Sequence, residues 1–153
     1  VLAEAGFSRL GLLSQLAFER LPNESFVPAP GQGAIAVTAV DDEVVDLLHD
    51  RVDDPETRVV TTVERTVLAE LGGGCVAPMG VHAHVTGEYV HVDAVVASED
   101  GTEVIEGSRD LPIETHAEAA TSFAADLRAE GAADLVAAAR AEGRDGGGGA
   151  DDE

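Results

Sequence analysis

The only cysteine of the chain, Cys75, follows directly after three glycines at the predicted end of a helix. An unpaired cysteine is most often a small apolar side chain of the core. A thiolate is also a nucleophile and a point of covalent attachment, and glycines beside it leave room for a bulky group to approach. The residues therefore leave two interpretations open, a buried apolar thiol and the anchor of a prosthetic group. No CxxC or Cys-His spacing indicates a redox pair or a zinc site.

A second candidate lies in the segment PAPGQGA, which ends at Ala34. Its glycines expose backbone N–H groups of residues 31 to 34, and Gln32 adds an amide, so Gln32, Gly33 and Ala34 could contact a polar or anionic group. The segment lacks the GKS or GKT ending of a phosphate-binding P-loop and the glycine pattern of a dinucleotide site. A plain turn leading into a strand explains it equally well. Arg9, near a glycine-bounded helix end, could meet an anion or simply be solvated.

A third candidate is a predicted hairpin with Gly87-Glu88 as its turn. This turn places His84 opposite His91 and His82 opposite Asp93, so three histidines and a carboxylate share one polar face. Such a face could bind zinc or copper. A solvated face of a half-covered sheet produces the same pattern, and we predict no metal.

The composition limits the classes of protein to which these residues can belong. The chain has 153 residues, 30 acids and nine bases, and its net charge of -21 argues against binding to nucleic acid, whose phosphates need a basic surface. No apolar run is long enough to span a membrane. Apolar residues make up 44% of the chain, enough for a core. Together with the scarcity of aromatic residues, the acidic surface predicts a folded, salt-adapted protein of the cytoplasm.

In the first third of the chain, helical spacing predicts short helices within residues 4 to 21 and a loop from 23 to 34. The apolar run 34 to 40 predicts a strand buried on both faces. No neighbouring strand is available in the nearby sequence, which suggests that its sheet lies in sequence not present here. A helix from about 43 to 51, capped by Asp41 or Asp42, follows.

The remainder of the chain predicts a compact α+β unit. Asp54 and Pro55 begin a helix that should end at the glycines before Cys75. The period then changes to two, which predicts a hairpin and a third strand around 102 to 110, followed by helices at 114 to 129 and 132 to 141. The fold class is therefore α+β, a three-stranded antiparallel sheet covered on one face by helices. The glycine-rich acidic tail, 143 to 153, should be disordered.

Four segments in this order resemble one family. They are VLAEAGFSRLG at 1 to 11, FVPAPGQGAIAV ending at 37, ERTVLAELGGGCVAPMGVHAHV at 64 to 85 and VASEDG at 96 to 101. The chain resembles the C-terminal half of porphobilinogen deaminase, also called hydroxymethylbilane synthase, with matching order and spacing from Val1 to about residue 142. One departure is visible at Val40, where many members of the family have a basic residue.

The resemblance implies a three-domain enzyme that condenses porphobilinogen into the linear tetrapyrrole hydroxymethylbilane and releases ammonia. It implies that Cys75 holds a dipyrromethane cofactor through a thioether, that Gln32, Gly33 and Ala34 contact this cofactor, and that Arg9 lies on the substrate side. Residues 1 to 32 would end the second domain, 33 to 51 would return to the first domain, and 54 to 142 would form the cofactor-attachment domain. These first two segments would thus belong to α/β domains that are otherwise missing.

The same resemblance implies that the catalytic aspartate belongs to an N-terminal half that would act as the partner of this chain. The chain alone is then expected to be inactive. The alternative function is a non-catalytic acidic interaction module, or a metal-binding module built on the face of His82, His84 and His91.

Overall fold

The computed structural model describes residues 2–23, 25–74 and 78–145. Cys75 and residues 146 to 153 of the predicted disordered tail lie outside the described residues, whereas residues 143 to 145, also predicted to be disordered, continue the last helix. The elements, in chain order, are α1 (Glu4–Arg9), α2 (Asp42–Val52), α3 (Pro55–Glu70), β1 (Met79–Thr86), β2 (Tyr89–Ala97), β3 (Val104–Pro112), a short 3-10 turn (Ile113–Thr115), α4 (His116–Ala129) and α5 (Ala132–Asp145). None of the helices in these ranges is long and apolar enough to cross a membrane.

The three strands form one antiparallel sheet in the order β1-β2-β3. The predicted hairpin register is confirmed: Val85 lies opposite Val90, and His84 lies opposite His91. Gly87 occupies the turn with a φ of 63°, a conformation that suits glycine. The third strand begins two residues later than the predicted start at 102. In this register, His82, His84 and His91 lie on the face of the sheet that points away from the helices.

The core lies between this sheet and three helices, with α3 on β1, α5 on β2 and α4 on β3. Apolar side chains alternate along β1 and β2, so one face of each of these strands is largely buried, whereas the inner face of β3 is mostly half-buried. The largest fully buried side chains are Leu71, Leu111, Val63, Val67, Val81, Val90, Val92, Val96 and Val136. The predicted α+β fold is therefore confirmed, although Val85 is only half-buried.

Both predicted helix caps are confirmed. The Asp41 carboxylate accepts hydrogen bonds from the N–H groups of Glu43 and Val44, and the Asp54 carboxylate accepts one from Thr57 at 2.7 Å. Each cap supplies an acceptor to N–H groups that the first helical turn leaves free.

Two predictions for the first third of the chain are wrong. Residues 4 to 21 form a single helix of six residues, α1, followed by turns. Residues 34 to 40 form no strand, and Ile35 is 88% exposed. A strand needs a hydrogen-bonded neighbour, and no strand of the described residues lies beside this segment. No described residue of 2 to 52 is buried.

Candidate functional site

The glycine turn after α3 leads to Cys75 and is held by α5. Arg140 of α5 donates a hydrogen bond from Nη2 to the Gly73 carbonyl oxygen at 3.0 Å. A Cβ on Gly73 would lie 2.3 Å from the Met79 Cε atom and 2.5 Å from Leu68 Cδ1. The Met79 and Leu68 side chains thus fill the space beside Gly73, whereas the sequence suggested that these glycines leave space for a group at the sulfur. Cys75 lies outside the described residues.

The loop 28–34, which carries the PGQGA motif, consists of two successive turns. The Gln32 N–H donates to the Ala29 carbonyl at 3.0 Å, and the Ala34 N–H donates to the Gly31 carbonyl at 3.1 Å. The Gly31 N–H donates to the Glu64 carboxylate at 2.6 Å. Of the four N–H groups expected to face a ligand, only that of Gly33 lacks an acceptor among the described residues. The expectation that residues 31 to 34 present a row of free donors is therefore wrong.

Glu64 of α3 is the group that fixes this loop. It is 6% exposed, the only buried polar or charged residue in the described part of the chain. Its Oε2 accepts the Gly31 N–H, and its Oε1 accepts the Ala83 N–H of β1 at 2.8 Å. The His82 ring nitrogen Nδ1 lies 3.7 Å from Oε1. One carboxylate thus connects a helix, a strand and the loop.

The chain before the loop covers the outer edge of β1. The Val81 N–H donates to the Pro28 carbonyl at 2.9 Å. Gly80 allows this approach, because a Cβ there would lie 2.4 Å from the Val27 carbonyl oxygen. The Asn23 amide nitrogen lies 3.1 Å from His82 Nε2. Pro28 and Glu64 together satisfy two edge N–H groups of β1 that would otherwise be open to pairing.

The sequence analysis missed Glu64, although a signal for it exists. In α3, Glu64 lies four residues after Val60 and three residues before Val67, so helical spacing places it on the apolar face of the helix. A carboxylate on the apolar face of a helix must find donors in the core. That position could have marked Glu64 as a structural or functional residue.

Arg9 lies in the last turn of α1 and is exposed. It forms no salt bridge with any described residue. No hydrogen bond or salt bridge among the described residues joins it to loop 28–34 or to the turn before Cys75.

The exposed face of the sheet carries a hydrogen-bonded network around His91. Its Nδ1 lies 2.7 Å from the Asp110 carboxylate, and its Nε2 lies 3.1 Å from the Ser108 hydroxyl and 3.4 Å from the Asp93 carboxylate. The hydrogen bond to Asp110, with the charge of both carboxylates, raises the pKa of His91 above its usual value. Ser108, His91 and Asp110 are linked in the same order as the serine, histidine and aspartate of a hydrolase. The Asp93 carboxylate beside Nε2 would repel the negative charge that develops on the substrate in acyl transfer, so the arrangement is unsuited to that chemistry.

The neighbouring histidines extend this network without forming a metal centre. The His84 ring lies 5.1 Å from the His91 ring and 6.0 Å from the His82 ring, measured between centroids. Within residues 2–23, 25–74 and 78–145, no group of three or more His, Cys, Asp or Glu side chains is arranged to hold a metal ion.

The relatives of this chain among curated proteins include several porphobilinogen deaminases. The chain is 49% identical over 143 residues to a probable porphobilinogen deaminase of the halophilic archaeon Halobacterium salinarum, covering 93% of this chain and 36% of that protein. The porphobilinogen deaminases of Nitrobacter winogradskyi and Campylobacter fetus are 39% and 34% identical and match 88% and 89% of this chain. The alignments cover 40% and 44% of those two proteins, so the chain spans less than half the length of these relatives.

Two family models match the chain in succession. Residues 1–46 match the model described as porphobilinogen deaminase, dipyromethane cofactor binding domain. Residues 59–129 match the model described as porphobilinogen deaminase, C-terminal domain, which includes most of α3, the whole sheet and α4. Both matches and the named relatives agree with the resemblance carried by the PGQGA and GGGC motifs. The chain belongs to the porphobilinogen deaminase family.

Proposed function

We propose that this chain forms the cofactor-carrying part of a porphobilinogen deaminase, a transferase that condenses porphobilinogen units into hydroxymethylbilane with release of ammonia. The observation that carries the proposal is the succession of the two family matches, at 1–46 and 59–129, around the PGQGA and GGGC motifs. The salt-adapted composition agrees with the relative from Halobacterium salinarum.

Cys75 is the proposed anchor of the dipyrromethane cofactor, through a thioether. When bound, this group supplies the pyrrole carbon onto which the next porphobilinogen unit is joined. The chain would supply the sulfur, and the contact from Arg140 of α5 to the Gly73 carbonyl helps to hold the turn that precedes Cys75 in the sequence. A thioether requires a reduced thiol before attachment, which agrees with a cytoplasmic location.

The loop residues have separate proposed roles toward the cofactor. The Gly33 N–H has no acceptor among the described residues, and the Gln32 side chain is exposed. Both can donate hydrogen bonds to the carboxylates of the bound pyrroles, and Ala34 extends the same stretch of backbone. Arg9 is proposed to pair with a carboxylate of the substrate, because a guanidinium presents paired donors to a carboxylate.

The proposed domain division follows the change in burial along the chain. Residues 54 to 142 contain every buried apolar side chain of the described residues, whereas no described residue of 2 to 51 is buried. We assign 1 to 32 to the end of the second domain and 33 to 51 to the first domain, where the run 34 to 40 would pair with a sheet. The partner is therefore the N-terminal half of the enzyme, which would also supply the catalytic aspartate, and the chain alone should be inactive.

The test uses intact mass and turnover after co-production with a partner polypeptide. The chain is produced with the portion of the Halobacterium relative that it does not match, and with Cys75→Ser as the control. We expect the wild-type chain to gain the mass of a dipyrromethane and the mixture to consume porphobilinogen, with neither result for Cys75→Ser. The Ser variant should unfold at nearly the same temperature. A wild-type chain that stays unmodified and inactive contradicts the proposal, and a collapse in the stability of Cys75→Ser favours the buried apolar thiol.

A further inference from the structure

We infer that Glu64 is a positioning residue, whose buried carboxylate fixes loop 28–34 relative to α3 and β1, the elements that precede and follow Cys75 in the sequence. The inference rests on the proposed function, because it concerns where the cofactor contacts of the loop lie. It adds a role for a side chain that lies in neither the loop nor the glycine turn.

The carboxylate is held in place by a donor on each oxygen. The Gly31 N–H donates to Oε2 at 2.6 Å, and the Ala83 N–H donates to Oε1 at 2.8 Å. A carboxylate loses hydration when it is buried, so such a position is stable only when the protein replaces the water donors. Gly31 and Ala83 are 52 residues apart in the sequence, and the carboxylate that they share links the loop to β1.

The link acts at the residue where the loop changes direction. Residues 27 and 28 follow the edge of β1, and Gly31 then turns the chain with a φ of 73°, in the left-handed region. Fixing the Gly31 N–H therefore fixes the direction in which Gln32 and Gly33 leave. A misplacement of about 1 Å is enough to slow a reaction. A loop released from Glu64 should therefore position the cofactor less accurately.

A neutral isostere cannot reproduce this arrangement. Glutamine has one acceptor oxygen and one NH₂ group, so Glu64→Gln would turn a donor toward one of the two backbone N–H groups. Glu70→Gln is the matched control, because it removes the same charge from the same helix, and Glu70 contacts Arg128 rather than the loop.

The first measurement is amide hydrogen exchange of the 153-residue chain in molar KCl. In the wild-type chain, the Gly31 and Ala83 amides should exchange slowly and the Gly33 amide of the same loop quickly, a comparison that needs no variant. In Glu64→Gln, Gly31 should exchange about tenfold faster or more, as expected for loss of a hydrogen bond to a charged acceptor. Amides of α4 should be unchanged, and Glu70→Gln should match the wild type. Equal exchange at Gly31 and Gly33 in the wild-type chain overturns the contact.

The second measurement is the fraction of Cys75 that carries the dipyrromethane mass after co-production with the N-terminal half, together with kcat and KM for porphobilinogen. We expect Glu64→Gln to lose severalfold in loading or in kcat, with partial recovery in Glu64→Asp and none of the loss in Glu70→Gln. A normally loaded and active Glu64→Gln enzyme overturns the positioning role and leaves the proposed function standing. A wild-type chain that never acquires the cofactor overturns both.

Discussion

Residues 2–52, the early region, and residues 54–142, the later region, contain similar shares of apolar side chains but differ in how much of them is buried. The later region buries its valines and leucines between a sheet and three helices, while the earlier region leaves Leu2, Phe26, Ile35, Val40 and Leu47 exposed. Apolar content therefore does not by itself produce a core. In the later region, three strands pair with one another and pack against the helices that cover them. The apolar run 34 to 40 has no partner strand among the described residues.

The two regions meet at a few defined contacts. The Pro28 carbonyl accepts from Val81, and Glu64 accepts from Gly31. These contacts hold residues 27 to 31, in the middle of the early region, along β1, but no described residue of this region is buried by them. We conclude that residues 27 to 31 take their position from the later region, while the apolar side chains of the early region stay exposed.

The largest effect should come from a matched pair of phenylalanine truncations. Phe123 is 2% exposed and packs against Gly107 of β3, whereas Phe26 is 55% exposed. We expect Phe123→Ala to lower the free energy of unfolding by about 3–5 kcal/mol, and Phe26→Ala to change it by less than about 0.5 kcal/mol. Urea unfolding followed by far-UV circular dichroism measures both. Similar losses in the two variants would remove the contrast between the regions.

Salt should affect the two regions differently. The net charge of -21 destabilises the folded state through repulsion, and raising the salt from about 0.01 M to 1 M shortens the screening length from about 30 Å to 3 Å. The unfolding temperature should therefore rise. The exposed run 34 to 40 should at the same time promote self-association in salting-out salts. Calorimetry and analytical ultracentrifugation test this, and a stable monomer at both salt concentrations contradicts it.

A smaller effect is expected at the contact between the regions. In Gly80→Ala, the new Cβ would lie 2.4 Å from the Val27 carbonyl oxygen, so the segment along β1 must move away. We expect a loss of about 1–3 kcal/mol in the free energy of unfolding, with faster amide exchange at Val81 and Gly31. Gly6→Ala in α1 is the control, because nothing lies within 4 Å of its added Cβ. Unchanged exchange at Val81 in Gly80→Ala would contradict the described path of the segment.

The smallest effect should be the pH dependence from His91 on the exposed face of the sheet. Its hydrogen bond to Asp110 raises its pKa in the folded state, so the protonated ring stabilises the fold. This stabilisation is fully present below the unfolded pKa of about 6.5 and is lost as the pH rises through the folded pKa. His91→Gln should therefore cost more stability at pH 5.5 than at pH 8, as measured by urea unfolding at the two pH values. An equal cost at both pH values would show that the His91 contacts do not favour the protonated ring.

The sequence predicted the features that depend on nearby residues. The turn at Gly87-Glu88 and the alternation around it set the register of His84 and His91, and the aspartates before α2 and α3 mark their caps. The sequence-based predictions were wrong where a hydrogen-bond partner is distant in the sequence or is not among the described residues. The Gly31 donor is satisfied by Glu64, 33 residues later, and the run 34 to 40 has the composition of a strand without a neighbour to pair with. The local pattern indicates which secondary structure a segment favours, but contacts with residues distant in the sequence determine whether that structure forms.

We propose that an N-terminal half of the enzyme completes the early region, and hydrogen exchange of residues 34 to 40 tests this proposal most directly. The measurement compares the chain alone with the chain co-purified with the N-terminal half, using peptides from 34 to 40 and from β2. We predict that 34 to 40 exchanges rapidly in the chain alone and becomes strongly protected in the complex, while β2 is protected equally in both. Protection of 34 to 40 in a monomer of the chain alone, or no gain of protection in the complex, would contradict the claim.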